Sequence, residues 1–340
     1  MSEHLSAREP TTFDRSFSNL SSTVRSIASE VVLPCDRSLQ ASLCTIAGEV
    51  AATTDRRTPT VAESDAEADT ALTFDEHEGQ PDEILSSVAE AVALLEGYVQ
   101  LRYDLLYSDR YTGREQRDAA VLASDHLHAA AYATITDAPV PDGRSLELYR
   151  HLAAGSSALA AEFAELTPTG PDDDTGADAT PRAQPSDDSS VHPRAVLAET
   201  ATTLGATAVG AADETRAAMN AYARSLSTAL CRVTASASSS ESGAVPASTA
   251  ARAGTDPRET AARVLSGRAD ASSSSDGAAV ASPGIARHIE RARDALAPLV
   301  DRSETAATAG TENSTDSTTP GPAPLARLER ATRIPFADEQ

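Results

Sequence analysis

The sequence contains no lysine and no tryptophan. All 28 basic residues are arginine, set against 51 aspartates and glutamates, which leaves a formal charge of −23. So little positive charge argues against nucleic acid as a partner, because neutralising phosphates needs a basic surface. It argues equally against attraction to an anionic membrane. Carboxylates at this density repel one another in dilute buffer, whereas molar salt shortens the range of that repulsion to about 3 Å. With its many alanines, threonines, serines and aspartates, the chain is expected to work in high salt. Aromatic residues make up only 4%, so the core must come from leucine, valine, isoleucine and alanine. The three cysteines, Cys35, Cys44 and Cys231, are odd in number and lack CxxC spacing. They make neither a disulfide framework nor a zinc site and are expected as reduced thiols packed as small apolar groups. No uninterrupted run approaches the roughly 20 apolar residues that span a bilayer. The opening MSEHLSAREP has neither the basic start nor the apolar centre of a signal peptide. No membrane span and a cytoplasmic location are the expectations.

Apolar residues recur at spacings of three and four along several blocks, which is the helical period. Phe13, Phe17, Leu20, Val24 and Ile27 form the first block, ended by Pro34, and Leu39, Leu43, Ile46 and Val50 form the second. The acidic, aperiodic stretch 58–80 reads as a loop. The strongest helix opens at Pro81-Asp82-Glu83, with the proline and acids that a first turn prefers. Its stripe runs from Ile84 and Leu85 through Val88, Val92, Leu95, Val99 and Arg102 to Leu106. Further helices are expected over 115–135, 145–166 and 194–233, with a weak one near 258–268. The last two run from Ile285 to Val300 and from Pro324 to Arg333. No run alternates with period two.

The expected class is therefore all-α, an antiparallel helical domain with acidic and serine-rich inserts expected to be disordered. Its parts are N-terminal helices and an acidic loop (1–80), the first core helices (81–166) and a linker (167–192). A core helix (193–233), a mostly disordered stretch (234–283) and the C-terminal helices (284–340) complete it.

Local constellations carry little chemistry by themselves. Asp172, Asp173, Asp174 and Asp178 lie between prolines in filler and read as a solvated charge run. His126 and His128 are two apart on a helix and point to different sides, whereas a helical chelate needs spacing i, i+4. No GxSxG, Walker loop or HExxH occurs.

Four segments in order carry a resemblance. Ala120-Val121-Leu122-Ala123-Ser124-Asp125-His126-Leu127 resembles the AVLAGDxL helix of trans-isoprenyl diphosphate synthases. The stretch from Val196 to Gly205-Ala206, followed by Val209-Gly210-Ala211, resembles the TAxLFxxAxxLGAxxAGA segment of that family. Ala221 to Leu230 is similar to its YGxxLGxAFQ, and Ile289 to Leu296 to its late helix. The resemblance spans roughly 80–300 and implies the isoprenoid-synthase antiparallel helical bundle, in which blocks 84–106, 115–135 and 195–233 line one central cavity.

It also implies positions for the family's chemistry. Two DDxxD motifs on facing helices hold three Mg²⁺ ions that pull the diphosphate from an allylic substrate. The first falls on Tyr103-Asp104-Leu105-Leu106-Tyr107, where only Asp104 is acidic. The second falls on Cys231 to Ser236, which contains no carboxylate. The family's lysine before TAxL falls on Pro193, with Arg194 adjacent, and its GQ falls on Gly155-Ser156. The GKRxRP turn lies near 34–39, where only Arg37 is basic, and the arginine pair after the first motif corresponds to Arg110 and Arg114. Arg37, Arg110, Arg114 and Arg194 are thus the diphosphate-binding candidates, Asp104 the metal candidate, and Asp104 with Asp125 the catalytic candidates.

Three functions fit these residues. The leading one is a catalytically impaired synthase homologue that needs no cofactor, binds a prenyl diphosphate, and pairs with itself or with an active prenyl synthase. The second is an active, divergent prenyl transferase using Mg²⁺ with Asp104, Asp125 and arginines. The third is an unrelated salt-adapted bundle, expected to lack the shared cavity.

Overall fold

In the computed structural model, the described residues are 17–54, 80–166, 192–240, 256–268, 282–309 and 323–334. Among them the chain forms ten α-helices and no strand. These are α1 (Ser22–Val31), α2 (Leu39–Thr54), α3 (Pro81–Tyr107), α4 (Arg114–Thr136) and α5 (Asp142–Leu166), then α6 (Pro193–Ala208), α7 (Asp213–Ser240), α8 (Pro257–Leu265), α9 (Pro283–Ala309) and α10 (Pro324–Ala331). The start signals are plain chemistry. Proline opens α3, α6, α8 and α10, where its missing N–H is no loss. Ser21 caps α1 by accepting from the Val24 amide at 3.4 Å, and Asp256 caps α8 by accepting from the Arg258 amide at 3.0 Å.

Two cores share a wall. The first gathers α1, α3, α4 and α5 around Leu94, Leu95, Leu127, Leu148 and Leu159. The second gathers α7 to α10 around Tyr222, Leu226, Leu296 and Leu328. Helices α2 and α6 stand between them and contribute to both: Cys44 and Leu204 face the first core, Leu43 and Ala206 the second. The wall closes because Gly205 has no side chain; a Cβ there would lie 1.9 Å from the Cys44 carbonyl oxygen.

Four readings of the sequence need correction. The block 194–233 is two helices: Gly210 adopts φ +77°, the Ala211 amide donates to Ala206 O at 3.0 Å, and the Gly210 amide donates to Thr207 O at 3.0 Å. This paired arrangement is a Schellman stop, which caps the last carbonyls of α6. The serine-rich stretch after 233 remains helical as far as Ser240. Phe17 and Leu20 precede the first helix in a turn, and Phe13 lies outside the described residues. By length and composition α3 could cross a membrane, although most of its apolar stretch is buried inside the protein. Its polar residues interrupt any uninterrupted run, which is why run length alone missed it. The 58–80 loop, the Asp172–Asp178 cluster and most of the expected disordered inserts also lie outside the described residues.

The stripe on α3 is broader than one face, since Ala89, Ala93, Leu94 and Leu101 are buried as well, while Leu106 is exposed. The three cysteines are free thiols, two of them buried. At the far end of the second core, the fully buried Tyr222 hydroxyl donates to Leu328 O at 2.9 Å, one of the terminal carbonyls that α10 cannot satisfy internally. Tyr222→Phe is expected to cost about 1–3 kcal/mol, the penalty of an orphaned buried acceptor. Urea unfolding of the two proteins measures it.

Candidate functional site

A turn, a cap and a short helix build one charged cleft. After α1, Pro34 starts a turn whose carbonyl accepts from the Arg37 and Ser38 amides at 2.8 and 3.0 Å. That turn delivers Arg37, and Ser38 then caps α2 through Ala41 N at 3.0 Å. Opposite, His192 caps α6 by accepting at Nδ1 from the Arg194 amide at 3.1 Å, which places Arg194 in the first turn. Helix α8 brings Arg258 and Glu259 from a third side. The cleft encloses about 370 Å³, and its lining includes Arg37, Arg110, Arg194 and Arg258 together with Glu30, Glu96, Asp256 and Glu259.

Most of these charges are already paired. Arg110 meets Glu30 at 2.5 Å and Asp104 at 3.1 Å, and Arg37 meets Glu259 at 3.1 Å. Arg258 meets Glu96 at 3.2 Å, with both side chains only 13% exposed. Glu96 also accepts from the Ser38 hydroxyl. Arg194 differs: it donates to Gln100 Oε1 at 2.5 Å and sits 5.7 Å from the Tyr103 ring centre, but among the described residues it meets no carboxylate. Burial first, and then the neighbouring Arg258 guanidinium, holds its pKa below the ordinary arginine value. Burial also depresses His192, helped by Arg194 and Arg258, to about 4. The imidazole is neutral at pH 7, in keeping with an Nδ1 that accepts.

The sequence candidates divide. Arg37, Arg110 and Arg194 converge on the cleft, with Asp104 bound behind Arg110. Arg114 does not join them; its side chain is 95% exposed and lies 3.9 Å from Asp118. Asp125 sits elsewhere on α4, paired with Arg102 at 2.7 Å. Of the three blocks expected to line one cavity, only 84–106 lines this cleft, through Glu96 and Gln100. Block 195–233 is represented by its flanking residues Arg194 and Thr234, α4 contributes no lining residue, and α8 takes its place. Arg258 was not anticipated. The only sequence sign of it is Asp256-Pro257, a helix start that points its first turn somewhere.

Three Mg²⁺ ions do not fit these residues. Asp104 is 7% exposed, and its carboxylate is engaged by Gln100 Nε2 at 2.8 Å and by Arg110. Across the cleft, Thr234 is the lining residue from 231–236 among the described residues. Among the described residues no three potential ligands cluster for a metal ion. The GQ counterpart is also spent elsewhere: a Cβ at Gly155 would meet Thr200, and Ser156 bonds His128 and Tyr132, each at 3.1 Å.

A geranyltransferase from Legionella pneumophila superposes with TM-score 0.54 at 12% identity, over 95% of this chain and 90% of that one. The fold is the helical prenyl-synthase bundle. A polyprenyl synthetase from Streptomyces coelicolor A3(2) aligns over 96% of this chain and 95% of its own at 15% identity, with TM-score 0.45. No family model matches the sequence, and no curated protein matches it. Within the prenyl-synthase fold, the α1–α3–α6–α8 cleft is where the arginines gather.

Proposed function

We propose that this chain is a prenyl-synthase-fold protein of isoprenoid metabolism that binds a prenyl diphosphate without ionising it, and serves as a binding or regulatory partner of an active prenyl synthase. The observation that carries the reading is Asp104: the lone acid of its motif is occupied by Gln100 and Arg110, and the facing stretch 231–236 offers no acid at all. Metal-assisted ionisation must lower a barrier by on the order of 10 kcal/mol or more. One internally neutralised carboxylate cannot seat the octahedral ions that would do so. The convergence of Arg37, Arg110 and Arg194 supports retained diphosphate binding. Fold alone confers no activity, so the test is chemical. The purified protein is incubated with isopentenyl diphosphate, allylic diphosphates and Mg²⁺ in molar KCl. No prenyl product is expected, and product of any length would overturn the impaired reading. The partnership half is tested by co-purification with an active synthase in the same salt; a stable monomer that captures none would remove it.

A further inference from the structure

The floor of the cleft holds an electrostatic imbalance. Arg194 and Arg258 both line it; after burial, the Arg258 charge lowers the pKa of Arg194, and both charges lower that of His192. Only one carboxylate, Glu96, is paired with either guanidinium among the described residues. Glu96 is held in place from behind by the Ser38 hydroxyl and presents its other oxygen to Arg258. Arg194 makes do with the neutral amide of Gln100 and the face of Tyr103. A guanidinium with five donors and no anionic partner, largely withdrawn from water, is a site that favours an oxyanion. A second guanidinium beside it raises that preference, since the anion relieves their mutual repulsion. Glu96 is the carboxylate that acts on both guanidinium groups, paired directly with Arg258 and acting on Arg194 through its charge.

We propose that Arg194 and Arg258 form a metal-independent phosphate site, in which Glu96 is a built-in counter-anion that a phosphate or diphosphate group displaces from Arg258. This rests on the cleft being the ligand site of the proposed function, and adds how the charge is held. The exchange breaks no covalent bond. Arg258 changes partner from Glu96 to a phosphate oxygen, Arg194 gains its first anionic partner, and Glu96 keeps the Ser38 hydrogen bond. The shared ligand chemistry is a phosphate-class oxyanion, whether free inorganic diphosphate or the head of a prenyl diphosphate. Because Arg258 belongs to the first turn of α8, ligand capture also changes what fastens that helix to α3.

Titration calorimetry with inorganic diphosphate and, separately, geranyl diphosphate tests this in EDTA, at the lowest KCl concentration that preserves the helical circular dichroism. Inorganic diphosphate is expected to bind without divalent cation. Arg194→Met is expected to weaken binding about 30-fold, the scale of losing charge-assisted hydrogen bonds. Glu96→Gln keeps the partner for Ser38 and removes the competing charge, so it is expected to tighten binding about tenfold. A gain of affinity cannot come from a damaged fold, which keeps the test decisive even if Arg194→Met is unstable. Binding that requires Mg²⁺, or a Glu96→Gln protein that binds no better, overturns the inference. If geranyl diphosphate binds, inorganic diphosphate does not, and Glu96→Gln leaves the geranyl diphosphate affinity unchanged, the inference falls while the proposed function stands. If inorganic diphosphate binds and geranyl diphosphate does not, the inference stands and the prenyl ligand of the proposed function falls. If neither binds, both the site and its ligand fall, and only the co-purification result remains for the partnership.

Discussion

Gly205→Ala is expected to destabilise the protein by about 3 kcal/mol or more, enough to lower the thermal midpoint by several degrees. The added Cβ would lie 1.9 Å from the Cys44 carbonyl oxygen and 2.7 Å from its carbon. Both are backbone atoms of a buried helix, so no side chain can swing aside. Relief requires moving α6 away from α2, which opens gaps in both cores at once, because each core uses both helices. Gly143→Ala is the matched control. It sits in the first turn of α5 with nothing within 4 Å of a new Cβ, so gaining alanine's helix preference should leave stability equal or raise it by up to about 1 kcal/mol. Chemical unfolding of the three proteins in molar KCl separates them. Equal stability of Gly205→Ala and the parent would mean that the α2–α6 contact is not the tight wall described.

Acid is expected to unfold the protein partly through one histidine. His192 is buried and neutral, with its pKa pushed down to about 4 by burial and by Arg194 and Arg258. A histidine whose pKa is depressed by folding binds its proton more readily in the unfolded chain. Its contribution is therefore present above the unfolded value near 6.5 and is lost as pH falls through the window from about 6.5 to about 4. The full loss is on the order of 3 kcal/mol. His128 and His151 are depressed in the same direction, chiefly by burial, and add to the trend. His192→Asn isolates the main contributor, since asparagine also caps a helix and does not titrate. The variant is expected to gain on the parent steadily as pH falls from 7 to 4. A difference in midpoint that stays constant with pH would remove His192 from the acid response. The comparison between proteins matters because protonating the many carboxylates changes the self-repulsion of both equally.

What the sequence made legible follows from which physics is local. The start of α3 could be read from Pro81-Asp82-Glu83, and α2 from its spacing, because caps and periodicity are written within a few residues. The join at Gly210 was hidden for a related reason. Helices α6 and α7 both bury apolar residues at helical spacing, so the pattern runs on across a single left-handed residue. Three of the four proposed diphosphate arginines meet in one cleft because their positions came from the order of whole segments, which the fold preserves. Arg114 and Asp125 missed it for lack of rotation: nothing in spacing says which way an exposed position on α4 turns. Arg258 went unseen because α8 is short and mostly polar, and its place beside Glu96 depends on a contact across 162 residues of chain.

The shared wall of α2 and α6 has a consequence for how substitutions accumulate. Its closest contact is made by a glycine against a backbone carbonyl, and its two faces are filled by small and aliphatic side chains such as Ala41, Ala47, Ala198 and Ala206. None of these is an acid or a base. The residues that could carry chemistry, Asp104 and the cleft arginines, stand at the ends of helices or in the turns between cores. Charges around the cleft can therefore be exchanged over generations with little effect on packing, whereas a single methyl group at Gly205 cannot be absorbed. Scaffold and charged groups thus stand on separate residues, and substitution at one set leaves the other in place.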